Sequence, residues 1–476
     1  MLTDEEKREI AQYIIDSHIF FADKYNSGEF YTIMYFNDHQ ECVNVLSSDF
    51  YAYLRNCFRE ESGEKFGYNF KWLIQEKTDI ARFDNSKKVV PYYRMAGNSK
   101  SITYFLADEL HQCIVISSKG WKLKKKSRYI FLKRAEMKKQ VIPVKGGNLK
   151  ELLAPFINMS EDSFILFVVY LVQCFFYNSN HFVAIISSGQ GSGKSTLTKL
   201  IQLLVDPSLA EKTLLPSSVE ELKNHLATNL LVAFDNTKKL SDDFSDVLCA
   251  ATTGTTFTKR KLFTDIDMVI LTLKNIIVLN GIDIVPKKAD LLERSLLFEL
   301  EKITPVRRMT DKKFWSNFKE KRAEILGAIF DTISKALAIR ETLDLKETHR
   351  MSDAYTDMCA IALALGISLD EFERIFNENI AKLEQTRSEE NFFCNTIRDY
   401  LEGKQLAMKL LNKSCKVSEA FYAMKPLSAS ETKYFPKTAS HFSRKLSEER
   451  STLINLGYDF KIEKKKDANY IEFFKV

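Results

Sequence analysis

The chain has 476 residues and a formal net charge of +6, from 69 Lys and Arg against 63 Asp and Glu. Its 45% hydrophobic and 28% charged residues are typical of a globular protein and exclude an intrinsically disordered one. With only 16 glycines and 9 prolines it is neither collagen-like nor linker-rich, and any cluster of glycines stands out. The length predicts roughly two to four domains.

Targeting and metal-binding patterns are weak. The first residues are acidic and polar, whereas a signal peptide begins with basic residues. The longest apolar run, residues 164–176, is shorter than the ~20 residues that a membrane-spanning helix needs. The eight cysteines are scattered, with no Cys-x-x-Cys pair, which argues against structural zinc and against a disulfide framework. We therefore expect a cytoplasmic protein with no membrane contact.

The first part of the chain, to about residue 148, combines helical patterns with aromatic strand-like runs, which predicts an α+β domain. Its basic block at 119–139 holds ten Lys and Arg and one acid. Trp121, Tyr129 and Phe131 are interspersed among the cations, a composition that suits nucleic acid. The alternative is a solvated pair of strands with exposed lysines.

A glycine-rich loop follows the apolar run at 182–186 and precedes a helical pattern at 197–205. Its sequence, SSGQGSGKST at 187–196, is a phosphate-binding loop in which backbone N–H groups and the start of a helix surround a phosphate. Ser188 replaces the first glycine of the strict motif. Lys194 is predicted to reach the β and γ phosphates of ATP, and Ser195 to hold Mg²⁺. The candidate nucleotide-binding residues are Gly189, Gln190, Gly191, Ser192, Gly193, Lys194, Ser195 and Thr196.

An acidic residue ends the next apolar strand. Asp235 follows the run at 230–234, and in P-loop enzymes a carboxylate at this position holds Mg²⁺. The following residue is often an acid that activates water, but here it is Asn236. The general base is therefore open between another acid, with Asp242 and Asp243 nearby in sequence, and water oriented by amides.

Two further candidates follow the third apolar strand, residues 276–279. Asn280 at the end of this strand is predicted to sense the γ-phosphate and position water. Arg294 lies where it could reach the phosphate of a neighbouring subunit and stabilise transition-state charge. The alternative for Arg294 is an ion pair with Asp290 or Glu293.

The segment at 253–265 combines basic and aromatic residues. Lys259, Arg260 and Lys261 lie between Phe257 and Phe263. In a ring of ATPase subunits this segment would form a hairpin that contacts single-stranded DNA in the pore.

The last ~85 residues predict a helix followed by a two-stranded hairpin with a basic tip. This order is that of a winged helix, whose helix enters the major groove while the wing contacts phosphates. A protein-binding winged helix is the alternative. The candidate DNA contacts are Lys437, Ser440, His441, Arg444 and Lys445 on the helix and Lys464, Lys465 and Lys466 on the wing.

Taken together, these motifs resemble a known family. SGQGSGKST, LLVAFDNT, ATTGTTFTKRKLFTD, IIVLNGID and ADLLERSLLFEL, in this order, are similar to the superfamily 3-like AAA+ ATPases of phages and mobile islands. Within that family, the chain resembles the replication initiators of staphylococcal pathogenicity islands or the related self-loading helicases of cassette elements. The resemblance covers about residues 119–370 and the C-terminal tail.

The resemblance implies a fold and a domain order. The fold class is α/β, with a P-loop AAA+ (ASCE) parallel-sheet ATPase core, an α+β N-terminal domain and a C-terminal winged helix. The expected domains are 1–148, for DNA binding or as a ring collar, 149–345 as the ATPase core, 346–388 as a helical lid or linker, and 389–476 as the winged helix.

The implied activity is that of an ATP- and Mg²⁺-dependent DNA helicase and replication initiator that forms a homo-oligomer, a hexamer in this family. Lys194, Asp235, Asn236, Asn280 and Arg294 would form the catalytic set. Two alternatives stay open: a nucleotide-switched origin-binding protein that does not unwind DNA, and a phage-type P-loop ATPase for packaging or defence.

Overall fold

The structure, a computed structural model, forms two compact units. It describes residues 2–26, 28–36, 40–64, 68–134, 136–177, 179–189, 191–210, 213–237, 240–260, 268–281, 286, 288–303, 308–345, 349–403, 411–426, 435–465 and 467–476. The first unit comprises Met1–Lys239, Asp246–Ile284 and Phe298–Glu373, and the second comprises Leu240–Ser245, Val285–Leu297 and Arg374–Val476. Four domains were predicted, and that division stays a prediction.

The N-terminal part of the first unit is a four-stranded sheet with three helices. The strands are β1 (Phe20–Asp23), β2 (Phe30–Tyr35), β3 (Gln40–Asn44) and β4 (Lys88–Val89), in the order β3-β2-β1-β4. The helices are α1 (Asp4–Asp16), α2 (Ser48–Ser62) and α3 (Lys71–Phe83). Thr3 and Glu6 form a capping box that begins α1, and Ser47 caps α2. Apolar side chains of these helices and strands, including Ile15, Phe50 and Phe58, form a common core.

A second, antiparallel sheet follows. Its strands are β5 (Met95–Asn98), β6 (Ser101–Phe105), β7 (Cys113–Ser117) and β8 (Gly120–Lys124), in chain order. Residues 129–132 form no strand of their own in the described structure, where Phe131 and Leu132 form isolated bridges with Tyr92 and Cys42.

Two of the three aromatic rings of the basic block are buried, contrary to the prediction that they contact nucleic acid. Trp121 and Phe131 are each only 5% exposed, so neither ring is available to stack on a nucleic acid base. Trp121 donates its indole N–H to Asp331 at 2.8 Å, and Phe131 stacks on Phe105 with 5.0 Å between ring centroids. These rings are buried because large apolar rings stabilise the core when they are removed from water.

A parallel sheet forms the centre of the chain, as predicted for a mixed α/β fold. Its strands are β9 (Val183–Ser187), β10 (Leu231–Phe234), β13 (Ile276–Gly281) and β14 (Ser295–Glu299), in the order β10-β13-β9-β14. β13 pairs in parallel with both β9 and β10. β11 (Thr255–Arg260) and β12 (Met268–Leu273) form the expected antiparallel hairpin.

The helices of the central region are α4 (Leu149–Leu153), α5 (Glu161–Gln173), α6 (Lys194–Val205), α7 (Val219–Thr228), α8 (Asp242–Thr253), α9 (Ala289–Leu292), α10 (Asp311–Arg340), α11 (Ser352–Ala364) and α12 (Leu369–Glu390). Asn158 lies in the break between α4 and α5. α6 begins at Lys194, three residues before the predicted start. α11 and α12 are separate helices, because Gly366 adopts a left-handed conformation with φ of 80° between them.

The hydropathy of the described helices bears on membrane contact. Among them, no helix taken singly has the length and apolar character of a membrane span. Leu149–Phe156 and Glu161–Gln173 meet these criteria only as a pair, across a bend of 114°.

Gly327 in α10 permits a close approach of the backbone at Val144. A Cβ atom at position 327 would lie 1.6 Å from the Val144 carbonyl oxygen, and the Val144 N–H donates to the Ala323 carbonyl at 2.9 Å. We expect Gly327→Ala to destabilise the protein by about 3 kcal/mol, because backbone must move to relieve the clash. Thermal unfolding checks this, with Lys335→Ala, an exposed position on the same helix, as the control. Equal midpoints for the two variants would contradict this prediction.

The described residues of the C-terminal part of the second unit form four helices and a small antiparallel sheet. The helices are α13 (Phe392–Leu401), α14 (Val417–Met424), α15 (Ala439–Glu448) and α16 (Arg450–Asn455). The strands are β15 (Cys415–Lys416), β16 (Tyr458–Lys464) and β17 (Asn469–Lys475), in the order β15-β17-β16. The core includes Phe421, Phe442 and Phe473. A helix is thus followed by a hairpin, in the order that the sequence predicted.

Candidate nucleotide-binding site

The glycine-rich loop connects β9 to α6, and two of its glycines have conformations that favour glycine. Gly191 and Gly193 have φ of 76° and 92°, in the left-handed region, where a side chain would be strained. Gly193 is also the N-cap of α6. Ser188 is not among the described residues with positive φ. The serine at the first glycine position is therefore compatible with this loop.

Lys194 folds back over the loop. Its ammonium donates to the carbonyl oxygens of Ser188 at 2.6 Å and Gly189 at 2.9 Å. Burial lowers the pKa of Lys194, and the nearby Asp235 carboxylate acts in the opposite direction. The ammonium is therefore held at the loop, where phosphate oxygens would be stronger acceptors than the two carbonyls.

Three side chains from separate segments meet beside the loop. The Ser195 hydroxyl donates to the two Asp235 carboxylate oxygens at 3.2 and 3.3 Å. The Asn280 amide donates to one of them at 2.7 Å and to the Thr198 hydroxyl at 3.3 Å. The cluster forms because β9, β10 and β13 are parallel, so that their carboxyl ends lie at one edge of the sheet. The structure thus brings together four of the candidate site residues, Lys194, Ser195, Asp235 and Asn280, and their roles stay a prediction.

This cluster has suitable donors for Mg²⁺. Ser195 and Asp235 present only oxygen atoms, the ligands that Mg²⁺ prefers, and Mg²⁺ commonly completes its shell with phosphate oxygens and water. Since the hydroxyl and the carboxylate already lie within hydrogen-bond distance of each other, both could bind one ion.

Asn236 adopts an unusual backbone conformation. Its φ of 53° is left-handed, a region in which Asn is enriched among non-glycine residues. The backbone N–H of Asn236 donates to the Asp235 carboxylate at 3.1 Å, and its side chain is exposed. A carboxamide cannot act as a general base, so its available role is to orient water.

A cavity of about 600 Å³ borders the other side of the loop. Its wall includes Gly193, Thr196 and Leu197 from the start of α6, with apolar side chains from distant segments. Those side chains are Pro155, Phe156, Ile157, Leu300, Ile303, Met309 and Phe314. The Phe156 ring packs edge-on against Phe314 with 5.5 Å between ring centroids. Sequence reasoning missed these residues, because nothing in the sequence relates residues 154–157 to residues 300–314.

The predicted arginine finger lies in the second unit, near the end of α9. Arg294 is 15% exposed and its guanidinium lies 3.3 Å from the Asp290 carboxylate. This is one of the two ion pairs that were considered as the alternative to a finger.

The predicted pore residues are partly described. Lys259 and Arg260 lie at the end of β11, where their backbones pair with Val269 and Met268. Their side chains, together with all of Lys261 and Gln190, lie outside the described residues.

Most of the predicted winged-helix contacts are exposed to solvent. Lys437, His441 and Arg444 are exposed before and along α15, whose N-cap Thr438 accepts a hydrogen bond from the His441 N–H. Lys445 is half-buried, with its ammonium 4.9 Å from the centroid of the Phe393 ring, so packing is one of its roles. On the hairpin, Lys464 and Lys465 are exposed at the end of β16, and Lys466 lies outside the described residues.

The central region of the chain matches the model of a known replication protein family. Residues 150–375, just under half of the chain, match the family model of the actinomycete integrative conjugative element replication protein. No curated protein matches the chain. Solved structures of the apo NrS-1 C-terminal region are similar, with TM-scores of 0.43, 0.41 and 0.42 and identities of 12%, 13% and 11%. These alignments cover 97–98% of this chain and 98–100% of the others. TM-scores this low do not show a shared fold. The central region is therefore similar to a replication protein of actinomycete integrative conjugative elements, and the finer resemblance to staphylococcal island initiators stays a prediction.

Proposed function

We propose that this protein is an ATP-dependent, ring-forming DNA helicase that initiates replication. The observation that carries the proposal is the meeting of Lys194, Ser195, Asp235 and Asn280 at one edge of the parallel sheet. A lysine, two oxygen ligands and a strand-end amide beside a glycine-rich loop are the parts that phosphoryl transfer from ATP requires.

In this proposal the nucleotide lies across the loop. The triphosphate occupies the loop and the start of α6, and the base and sugar enter the adjacent cavity, whose wall has both apolar and charged side chains. Lys194 exchanges its two carbonyl partners for phosphate oxygens. Bound Mg²⁺ would neutralise charge on the phosphates, and Ser195 and Asp235 would be its protein ligands. Asn280, fixed by Asp235 and Thr198, is positioned to orient the attacking water.

DNA binding is the second part of the proposal. The match to a replication protein family supports a DNA partner. The exposed cations of α15 and of the β16–β17 hairpin suit contact with duplex phosphates in a winged-helix arrangement. Lys259, Arg260 and Lys261 on the β11–β12 hairpin would contact the single strand inside a ring.

Arg294 provides the test that separates a helicase from a nucleotide switch, because a switch needs no arginine finger. We expect Arg294→Ala and Lys194→Ala each to abolish DNA-stimulated ATP hydrolysis. In a ring, mixing the two variants in equal amounts restores activity at roughly a quarter of the interfaces, since one subunit supplies the loop and its neighbour the arginine. Hydrolysis rates of each variant and of the mixture measure this.

The Arg294→Ala substitution has a matched control. Asp290→Ala removes the carboxylate that pairs with Arg294 in the isolated chain, and it is expected to retain activity. Full ATP hydrolysis by Arg294→Ala alone would contradict the arginine finger. Two inactive variants that do not complement each other would contradict hydrolysis at a shared interface.

A further inference from the structure

A second cavity, of about 590 Å³, lies in the N-terminal part of the first unit. Its walls come from the first sheet, from Tyr92, and from the segment at 125–131 in the basic block. No Asp or Glu occurs among the described residues that line it. We name it the basic cleft, defined by Lys24, Lys88, Tyr92, Lys125, Lys126, Arg128 and Tyr129.

The backbone around the basic cleft is fixed by hydrogen bonds. The Tyr92 N–H donates to the Ile130 carbonyl at 2.8 Å, and the Leu132 N–H donates to the Tyr92 carbonyl at 2.7 Å. On the opposite wall, the Lys24 N–H donates to the Val89 carbonyl at 2.8 Å. Backbone hydrogen bonds therefore hold the segments that carry the cations of the cleft.

Among the described residues that line this cavity, five are Lys or Arg: Lys24, Lys88, Lys125, Lys126 and Arg128. Lys125 and Lys126 are exposed. The Lys88 ammonium donates to the Arg82 carbonyl at 2.7 Å. Arg128 donates to the hydroxyls of Ser101 at 3.1 Å and Tyr129 at 2.7 Å. Because these oxygens are neutral, these contacts leave the positive charge of Lys88 and Arg128 available to an anionic ligand.

The interior of the basic cleft is aromatic and apolar. The Tyr92 and Tyr129 rings meet edge-on with 5.3 Å between centroids, and both side chains are half-buried. Phe21, Ile33 and Phe131 form much of the remaining wall. Exposed cations around partly exposed aromatic rings match the two parts of a polynucleotide strand, since phosphates are attracted to the cations and bases stack on the rings.

We propose that the basic cleft binds a single-stranded polynucleotide, with bases against Tyr92 and Tyr129 and phosphates at Lys125, Lys126 and Arg128. A duplex keeps its bases stacked in the helix and could not insert them. The residues of this site differ from those proposed to contact DNA on the β11–β12 hairpin and in the C-terminal part, and binding here is expected without ATP hydrolysis.

The test measures binding of a short fluorescent oligothymidylate to the full-length protein by anisotropy, without nucleotide, over a range of salt concentrations. Lys125→Ala/Lys126→Ala is expected to weaken binding about tenfold and to make the slope of log affinity against log salt shallower by about 1.4. Tyr129→Leu is expected to weaken binding about fivefold or more with an unchanged slope, because it removes stacking but no charge.

The matched control is Lys122→Ala/Lys133→Ala, which removes two exposed cations of the same basic block that do not line the cavity. Its affinity and slope are expected to stay near those of the wild type. An oligouridylate shows whether RNA also binds, and the same variant losses with either strand support the cleft. Losses that are equal in the two lysine variants, or a Tyr129→Leu loss that is as large on a blunt duplex, would overturn the proposal.

Discussion

Lys194→Ala is expected to reduce the rate of ATP hydrolysis by at least about 100-fold while the protein stays folded. The ammonium lies over the loop, with hydrogen bonds of 2.6 and 2.9 Å to two loop carbonyls, where β and γ phosphates would bind. Its removal takes away the positive charge that stabilises the transferring phosphoryl group. Steady-state release of phosphate measures the effect.

The control for this substitution is on the same helix. Lys199→Ala removes a lysine whose ammonium lies 4.8 Å from the centroid of the Trp315 ring, on α6 but away from the loop. It is expected to cost little activity, and thermal unfolding of both variants checks that they are folded. A Lys194→Ala protein as active as Lys199→Ala would remove the basis for a nucleotide site at this loop.

The second large effect is expected for Asp235→Asn, with hydrolysis reduced about 100-fold or more. The substitution keeps the shape of the side chain and an oxygen that can accept from Asn280, but it removes the negative charge that favours Mg²⁺. We expect ATP to bind this variant without the enhancement that Mg²⁺ gives to the wild type. Titration of a fluorescent ATP analogue with and without Mg²⁺ measures this difference.

A conservative change on an exposed carboxylate is the comparison. Asp246→Asn on α8 removes the same charge from an exposed position and is expected to retain Mg²⁺-dependent binding and hydrolysis. If Asp235→Asn bound the Mg²⁺–nucleotide complex as tightly as Asp246→Asn, Asp235 would not be a metal ligand.

The loop and the ends of the parallel strands could be predicted from the sequence because their signals are local. The run at 187–196 specifies a turn by its glycines, and a short apolar run followed by Asp235 or Asn280 indicates where a buried strand ends. Parallel pairing then brings the ends together without further information. The contact of Asn280 with Thr198 was not predicted, because it depends on how α6 packs on β13.

The aromatic residues of the basic block show where local signals fail. Trp121, Tyr129 and Phe131 occur among lysines in the sequence, yet only Tyr129 retains partial exposure, since Trp121 and Phe131 are drawn into the core. Tyr92, which completes the basic cleft, lies in a separate segment. Composition indicated the charge of the block correctly. Which of its side chains are buried depends on tertiary packing, which composition does not show.

Arg94 makes long-range contacts that no local sequence pattern predicts. Its side chain is fully buried and its guanidinium donates to Asp206 at 2.9 Å and to the carbonyls of Lys138 and Pro207 at 3.0 Å. A lone arginine in a sequence is ordinarily exposed, because a buried charge needs several partners at once. These partners come from segments more than 40 residues away, which only the fold brings together.

ATP-driven unwinding of a forked duplex by the full-length protein tests the central proposal most directly. The wild type and Lys199→Ala are expected to unwind a fork of one polarity when ATP and Mg²⁺ are present, and Lys194→Ala is expected not to. Absence of unwinding by the wild type on forks of both polarities would contradict a helicase. Unwinding by Lys194→Ala at the wild-type rate would contradict the assignment of the motor to this loop.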